Sequence, residues 1–408
     1  MRNARQSSNA HRLTARNIKN MGNYPTGVKI TKVEQVTVEI DQPAIGCNSR
    51  ATEIHQPDPS AKWNERIIRI YTNDGTLGWG AGSWGTTTAE NAEGVLNQNP
   101  FDLLNPENGV VEEFRGLENA LWDTIGKILE KPVYQLIGGD VFSNGLPAYD
   151  STIYFNDLLY ETKAEGLQRI ENDVKSSLAN GFTACKMKIG RGSYLMERKA
   201  GLQRDIELVQ LARSTAGEGF NILVDANNGY TYDEVITFLN ETSNCDVFWI
   251  EEMFEEEVEL YRNLKAFIQE KGLKTFIADG ETRTRDPLEF YDPFFEAGVI
   301  DVIQHDMKGL GVTGWRRLAD MAAAHGVRCA PHNWGSLLGF YLSLQFGKTI
   351  PHFLYGEVAT LTSDVIDTSD YTFTGGTFTV PDTPGLGLAL NEDVYQDRYA
   401  GKEDWQIG

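Results

Sequence analysis

Thr183-Ala184-Cys185-Lys186-Met187-Lys188-Ile189 is the stretch that decides the fold. Side chains alternate along a strand, so Cys185, Met187 and Ile189 share one face and Lys186 and Lys188 share the other. The apolar face suits a layer of helices, which turns the lysines inward. Downstream, apolar runs recur at Asn221–Asp225, Asp246–Glu251, Lys274–Ala278, Asp301–Gln304, Arg328–Ala330 and His352–Tyr355, and upstream at Pro147–Thr152. Amphipathic segments such as Glu197–Arg213 and Thr313–His325 fit between them. Strand–helix repetition means parallel strands joined by crossover helices. Eight such units favour a TIM-type (β/α) barrel, of seven or eight regular units, over an open sheet.

The flanks read differently. Val28, Ile30, Val36, Val38 and Ile40 alternate as in a half-buried strand. Ile67–Tyr71 is a second strand, and Asn73-Asp74-Gly75 turns the chain into Leu77-Gly78-Trp79-Gly80. The polar stretch from Gln42 to Trp63, carrying His55, has the length of a lid or a disordered insert. Val110–Leu129 has helical spacing and stops at Lys131-Pro132. The expected organisation is a disordered tail at 1–25, an N-terminal α+β capping domain at 26–145, the barrel at 146–365, and a segment at 366–408 that returns to the capping domain. The tail contains Arg2, Arg5, Arg12, Arg16 and Lys19 with no acid in its first twenty residues.

Formal net charge is −21, from 58 Asp+Glu against 37 Lys+Arg. That balance argues against nucleic-acid binding and against anionic membrane surfaces. No apolar run reaches the roughly 18 residues of a membrane span. Cys47, Cys185, Cys245 and Cys329 show no CxxC spacing and read as buried, reduced thiols, as in a cytoplasmic protein.

The ionisable residues carry the functional reading. Asp225 ends strand three, Glu251 ends strand four, Glu281 follows strand five, Asp306 follows strand six, His332 ends strand seven and Glu357 follows strand eight. The C-terminal ends of barrel strands converge on one mouth, where active sites of this fold lie. Asp225, Glu251 and Glu281 on neighbouring strands repel unless a cation joins them, and three oxygen donors favour Mg²⁺ or Mn²⁺. Two lysines close together, with a metal nearby, are expected to depress each other's pKa, which suits a base. Asp306 can fix the tautomer of His332 across the mouth. Such a site removes the proton next to a substrate carboxylate, by Lys188 or His332, with the opposite group completing the reaction.

Two patterns are set aside. Gly309-Leu310-Gly311-Val312-Thr313-Gly314 matches GxGxxG, but the next strand ends in Ala330-Pro331-His332-Asn333-Trp334, with no acid to hold a ribose. It reads as a tight turn into a helix N-terminus, near a phosphate or carboxylate. Glu255-Glu256-Glu257 reads as a solvated first helical turn.

Taken together these motifs resemble the enolase superfamily, in its mandelate racemase-like (mandelate racemase/muconate lactonizing enzyme) subgroup. The resemblance rests on Gly116-Leu117-Glu118-Asn119-Ala120-Leu121-Trp122-Asp123, on Leu136-Ile137-Gly138-Gly139, and on Lys186-Met187-Lys188. It rests further on Val224-Asp225-Ala226-Asn227, Ile250-Glu251-Glu252, Asp279-Gly280-Glu281, Gly311-Val312-Thr313-Gly314-Trp315 and Pro384-Gly385-Leu386-Gly387. It spans about Lys29 to Gly387. A Lys or His base with one or two Mg²⁺ ions is the known arrangement of such sites. The resemblance implies Lys188 as base supported by Lys186, Mg²⁺ on Asp225, Glu251 and Glu281, and His332–Asp306 as the opposing dyad. It also implies Glu357 on the substrate carboxylate, Asn227 near the metal, and capping loops around His55 and Gly82-Ser83-Trp84-Gly85, so that His55 and Trp84 would touch substrate. Two features depart from the pattern. Gln304-His305-Asp306 lies close to Gly311, leaving His305 as an alternative dyad partner, and Met253 stands where a proline is usual.

The implied activity is a lyase reaction, dehydration of an aldonate or aldarate sugar acid to a 2-keto-3-deoxy acid. A racemase, epimerase or cycloisomerase working through the same enediolate is the alternative, and a non-catalytic sugar-acid binder is the competing class. A small carboxylate is the expected partner, and a homo-oligomer, dimer or octamer, the expected assembly.

Overall fold

The structure is a computed structural model that describes residues 24–42, 45, 54, 58, 60–82, 87–142, 145–281 and 287–408. His55, Trp84, Cys47 and the arginines of the N-terminal tail lie outside the described residues.

The N-terminal sheet forms from β1 (Ile30–Asp41), β2 (Lys62–Thr72) and β3 (Leu77–Ala81), antiparallel throughout. The expected turn at Asn73–Gly75 joins β2 to β3, with Gly75 at φ +88°. Gly80 packs so closely on α1 (Glu118–Ile128) that a Cβ there would lie 2.7 Å from the Asn119 carbonyl carbon. The expected long helix from Val110 is shorter: a 3₁₀ turn fills Glu112–Leu117 before α1 begins.

The parallel strands follow in chain order: β4 (Leu146–Ile153), β5 (Ala184–Lys188), β6 (Asn221–Asp225), β7 (Val247–Glu251), β8 (Phe276–Asp279), β9 (Val302–Ile303), β10 (Arg328–Cys329) and β11 (Gly356–Val358). Each pairs with the next as far as β10. β11 pairs with β4, and the Cys329–Phe353 bridge closes the gap, so the sheet closes on itself. Among the helices between the strands are α2 (Lys163–Ala179), α3 (Arg198–Ala216), α4 (Tyr232–Glu241), α5 (Val258–Glu270), α6 (Pro287–Glu296), α7 (Met307–Ala324) and α8 (Leu337–Gly347). Capping boxes at Thr162/Glu165 and Thr231/Glu234 start α2 and α4 by satisfying the first free amides.

The barrel is filled rather than hollow. Tyr149, Ala184, Leu223, Trp249, Ala278, Val302, Ala330 and Tyr355 form one apolar layer inside it, one from each strand line. Because side chains alternate, the residue two further along each strand points into the next layer up. Those residues are Ser151, Lys186, Asp225, Glu251, Gly280, Gln304, His332 and Glu357. The packing floor therefore dictates the register of the mouth above it.

The C-terminal segment divides. The Thr/Gly-rich hairpin β12 (Thr372–Thr374) and β13 (Thr377–Thr379) does not reach the capping sheet as expected, because β13 pairs with β4 at Pro147 and Leu146. The rest of the segment returns as expected: the Leu386 amide donates to Asp123 of α1 at 2.8 Å, Gly385 bridges Pro132, Glu392 pairs with Arg69 of β2 at 3.1 Å, and β14 (Trp405–Ile407) pairs with β1. Among the described residues, no helix is long and apolar enough to cross a membrane.

Candidate active site

Asp225, Glu251 and Glu281 offer carboxylate oxygens that all lie within 4.8 Å of one another. Asp225 and Glu251 belong to the layer above the apolar floor. Glu281 arrives one residue out of phase, after Gly280, whose φ of +131° admits the bend. A Cβ at that position would also meet the Gln304 amide nitrogen at 2.9 Å, so glycine is required twice over. Asn227 and Asn228 at the end of β6, and Glu252 at the end of β7, have φ of +41°, +58° and +42°. Left-handed backbone on non-glycine residues is strained and clusters at functional sites.

The two lysines meet this carboxylate layer as their alternation requires. Lys186 Nζ lies 2.8 Å from Glu251, 2.9 Å from Glu357 and 3.5 Å from Asp225. Lys188 Nζ bonds both Asp225 and Asn227, and sits 5.4 Å from the ring centroid of Tyr154. On the far side, His332 Nδ1 lies 2.8 Å from Asp306 and Nε2 lies 3.4 Å from Glu281. The dyad partner is thus Asp306; His305 instead points its Nδ1 at the Gly280 carbonyl, 3.1 Å away.

Without a cation among the three carboxylates, the electrostatics run against the expected lysine depression. Burial penalises both ammoniums, and for Lys188 the charge of Lys186 acts in the same direction. The facing carboxylates outweigh this, so both lysines are held above their usual range rather than depressed. Burial likewise opposes the His332 cation, but Glu281, Glu357 and Asp306 push its pKa up to about 10. Glu251 is pushed up to about 8 by burial, with Asp225, Glu281 and Glu357 adding and Lys186 opposing. A carboxylate layer in surplus over its cations is one that a further cation relieves. Glu281 Oε2, buried without a hydrogen-bond partner, is a donor atom with no other use. Three hard oxygen donors with these properties fit Mg²⁺.

Glu357 lies inside β11, not after it, and is 1% exposed. Ser151 Oγ donates to it at 2.6 Å and the Asn333 amide at 2.8 Å, while Lys186 pairs with it. Burial works against its charge, but Lys186 and His332 hold the carboxyl far below the usual range. In that state it accepts and cannot donate, so contact with a substrate carboxylate would require it to gain a proton. What it does here is brace Lys186, His332 and the β10 loop against one another.

Several participants had not been singled out in the sequence. Ser151 supports Glu357, and Gln304 and Trp249 donate to Glu251 at 3.0 and 3.1 Å. Ser151 and Gln304 follow from counting in twos along the strands from the apolar floor, to which Trp249 itself belongs. The GxGxxG segment lies within α7, which kinks at Gly311 (φ +67°). The carboxylate at the helix start beyond that kink is internal: Glu118 of α1 accepts from the Thr313 amide at 2.7 Å and its hydroxyl at 2.6 Å. Glu256 departs from the expected solvated run, being 9% exposed and grouped with Glu252 and Asp279.

Comparison with known proteins adds independent findings. The family described as enolase C-terminal domain-like matches residues 169–394. The chain is 25% identical over 362 residues to D-galactarolactone cycloisomerase of Agrobacterium fabrum, covering 80% of this chain and 89% of that protein. It is 25% identical to D-xylonate dehydratase of Haloferax volcanii, covering 88% and 92%. Galacturonate dehydratase from Geobacillus sp., solved with D-galacturonate and 5-keto-4-deoxy-D-galacturonate, superposes with a TM-score of 0.85 at 29% identity, covering 94% of this chain and all of that one. A mutant of the same enzyme, solved with Mg, gives 0.86 at 28%, covering 95% of this chain and all of that one.

Proposed function

This chain belongs to the enolase C-terminal domain-like family, and on that premise we propose that it is a Mg²⁺-dependent sugar-acid dehydratase. The observation that carries the reading is the one barrel mouth at which three carboxylates, two lysines and a histidine–aspartate pair meet. Relatives that dehydrate xylonate and galacturonate support the substrate class.

Asp225, Glu251 and Glu281 would hold the ion, with the Asn227 amide beside them. Mg²⁺ so held supplies positive charge to a substrate carboxylate, which lowers the cost of losing the neighbouring proton. Lys188, at the Asp225 end of the triad, takes the α-proton in its neutral form, which positive charge held among Asp225, Glu251 and Glu281 would favour by offsetting the carboxylates that otherwise keep it protonated. Lys186 neutralises Glu251 and Glu357 and keeps its own charge near the negative charge that develops. His332, at the Glu281 end, returns a proton to the β-hydroxyl, which leaves as water. The enol that remains takes a proton at carbon three to give the 2-keto-3-deoxy acid, so the balance is sugar acid to keto acid plus water. Asp306 on Nδ1 leaves Nε2 as the nitrogen that serves the substrate. The aromatic wall of Tyr154 and Trp334, stacked at 4.7 Å, limits water on the lysine side.

A cycloisomerase reading has one specific support, the match to D-galactarolactone cycloisomerase. Incubation with Mg²⁺ and a panel of aldonates and aldarates in D₂O separates the two. A 2-keto acid, absent after EDTA treatment and with Lys188→Ala, is the expected result. Exchange at the α-carbon without keto acid would replace dehydration by isomerisation. No exchange with any acid would overturn the shared chemistry.

A further inference from the structure

Glu65 lies in β2 of the N-terminal sheet, yet its side-chain bonds run to the barrel. It is 0% exposed. Its Oε1 takes Lys308 Nζ at 2.8 Å, and its Oε2 takes the Leu337 amide at 2.9 Å and Ser336 Oγ at 3.0 Å. Lys308 is two residues beyond Asp306, and Ser336 is four beyond His332. Asp306 and Ser336 are the residues that cap α7 and α8. One carboxylate therefore holds together the first turns of the two helices whose preceding loops carry the dyad. Those loops touch each other directly through the bridge between Asp306 and His332.

A neighbour on the same strand repeats the contact. Trp63, two residues before Glu65 and so on the same face, meets the Trp334 ring edge-on at 5.6 Å. Trp334 stacks on Tyr154, over which Lys188 lies. Packing alone would be served by an apolar residue, since a buried carboxylate loses its hydration and must be fully bonded to be tolerated. We infer that Glu65 is a positioning residue: it fixes the His332–Asp306 pair relative to the metal triad, making the capping sheet part of the acid/base apparatus. The inference rests on the dehydratase reading for the dyad's role.

The test uses Mg²⁺-loaded full-length protein with Glu65→Gln and Lys308→Met. Glu65→Gln keeps the shape but turns an amide NH₂ toward donors; Lys308→Met removes the ammonium on the Asp306 side and leaves the Ser336 and Leu337 bonds to Glu65 in place. Misplacing a catalytic group by a fraction of an ångström to an ångström lowers turnover by about 10- to 100-fold. Expected for Glu65→Gln is a fall in dehydration kcat of that order, with KM and Mg²⁺ affinity within about threefold. Exchange of the α-proton by Lys188 should persist, so the ratio of exchange to dehydration rises. Lys308→Met should move the same ratio by a smaller factor. In the NMR spectrum, the His332 Nδ1–H resonance should broaden or shift in both variants. If Glu65→Gln lowers Tm but leaves kcat, the ratio and the imidazole resonance unchanged, Glu65 is structural and the inference fails. An equal loss of exchange and dehydration also overturns it. Should Glu65→Gln not fold, Lys308→Met alone decides. If the wild type acts on no acid, the reading of function fails, while the imidazole resonance still tests the positioning.

Discussion

The ends of β7 and β8 contribute to two carboxylate triads, and the two differ in what surrounds them. Asp225, Glu251 and Glu281 form the first; Glu252, Glu256 and Asp279 form the second, and each set brings oxygens within 4.8 Å. Alternation separates them: Glu251 points into the barrel, and Glu252 points away from it. The first set faces Lys186, Lys188 and His332, which offset part of its charge. In the second, Asp279 accepts from the hydroxyls of Tyr261 and Tyr291, and Glu252 from the Asn227 amide. Burial pushes Asp279 up to about 7, Glu256 adds to the effect, and the tyrosines oppose it. Burial and the surrounding carboxylates raise Glu252 well above its ordinary range. Protons are thus held more tightly on Asp279 and Glu252 than on ordinary carboxylates. Carboxylate proximity is thus common to both sets, and what differs among the described residues is the neighbours: lysines and a histidine beside the first, tyrosine hydroxyls beside the second.

The sharpest way to break this contrast is to remove one ligand from each set. Asp225→Asn should abolish measurable Mg²⁺ binding in calorimetry and lower turnover by at least about 10³-fold, on the order of 4 kcal/mol of transition-state stabilisation. Glu256→Gln should leave both within about threefold. The opposite pattern would exchange the roles of the two triads. A smaller effect concerns the charge balance of the first set. Lys186→Met removes a buried partner of Glu251 and Glu357, and breaking such pairs costs about 3–5 kcal/mol. Its Tm in EDTA should fall accordingly, and added Mg²⁺ should raise Tm by more than in the wild type, because the surplus negative charge is larger. An identical Mg²⁺-induced shift in both proteins would show that the lysine does not share the balancing task.

The contrast also explains what could be read in advance. The strands of Lys186, Asp225 and Glu251 were legible because parallel strands buried on both faces leave short apolar runs, and a charge at the end of each stands out. The last strand was harder. Phe353 bridges to β10, but β11 begins only at Gly356, so the apolar run His352–Tyr355 precedes the strand and Glu357 lies within it. Ser151 escaped notice because a neutral hydroxyl carries no pattern of its own. Glu65 escaped because charged residues in an alternating strand normally face water, and its partners are more than 240 positions away. The lysine depression presupposes a metal nearby; with no cation among them, the four carboxylates around the pair reverse it. Glu256 was hidden in a run of three glutamates, where only tertiary packing decides which one turns inward.

The smallest effect tests the second set by itself. Tyr291 is fully buried and donates to Asp279 at 2.7 Å. Tyr291→Phe leaves that oxygen without its donor, at a cost of about 1–3 kcal/mol. The sign of its pH dependence follows from the raised pKa. Asp279 titrates at about 7 in the folded chain, against roughly 3.9 when unfolded. Between those values the native state holds a proton that the unfolded chain has released. Stability from this group is therefore full below about pH 4, declines as pH rises, and is lost above 7. The tyrosine bond favours the ionised form, so its removal raises the Asp279 pKa further and extends the decline to higher pH. The Tm deficit of Tyr291→Phe should then be larger at pH 8 than at pH 5, with kcat at Mg²⁺ saturation unchanged. A deficit independent of pH would mean that Asp279 is ionised throughout and holds its proton no more tightly than an ordinary carboxylate.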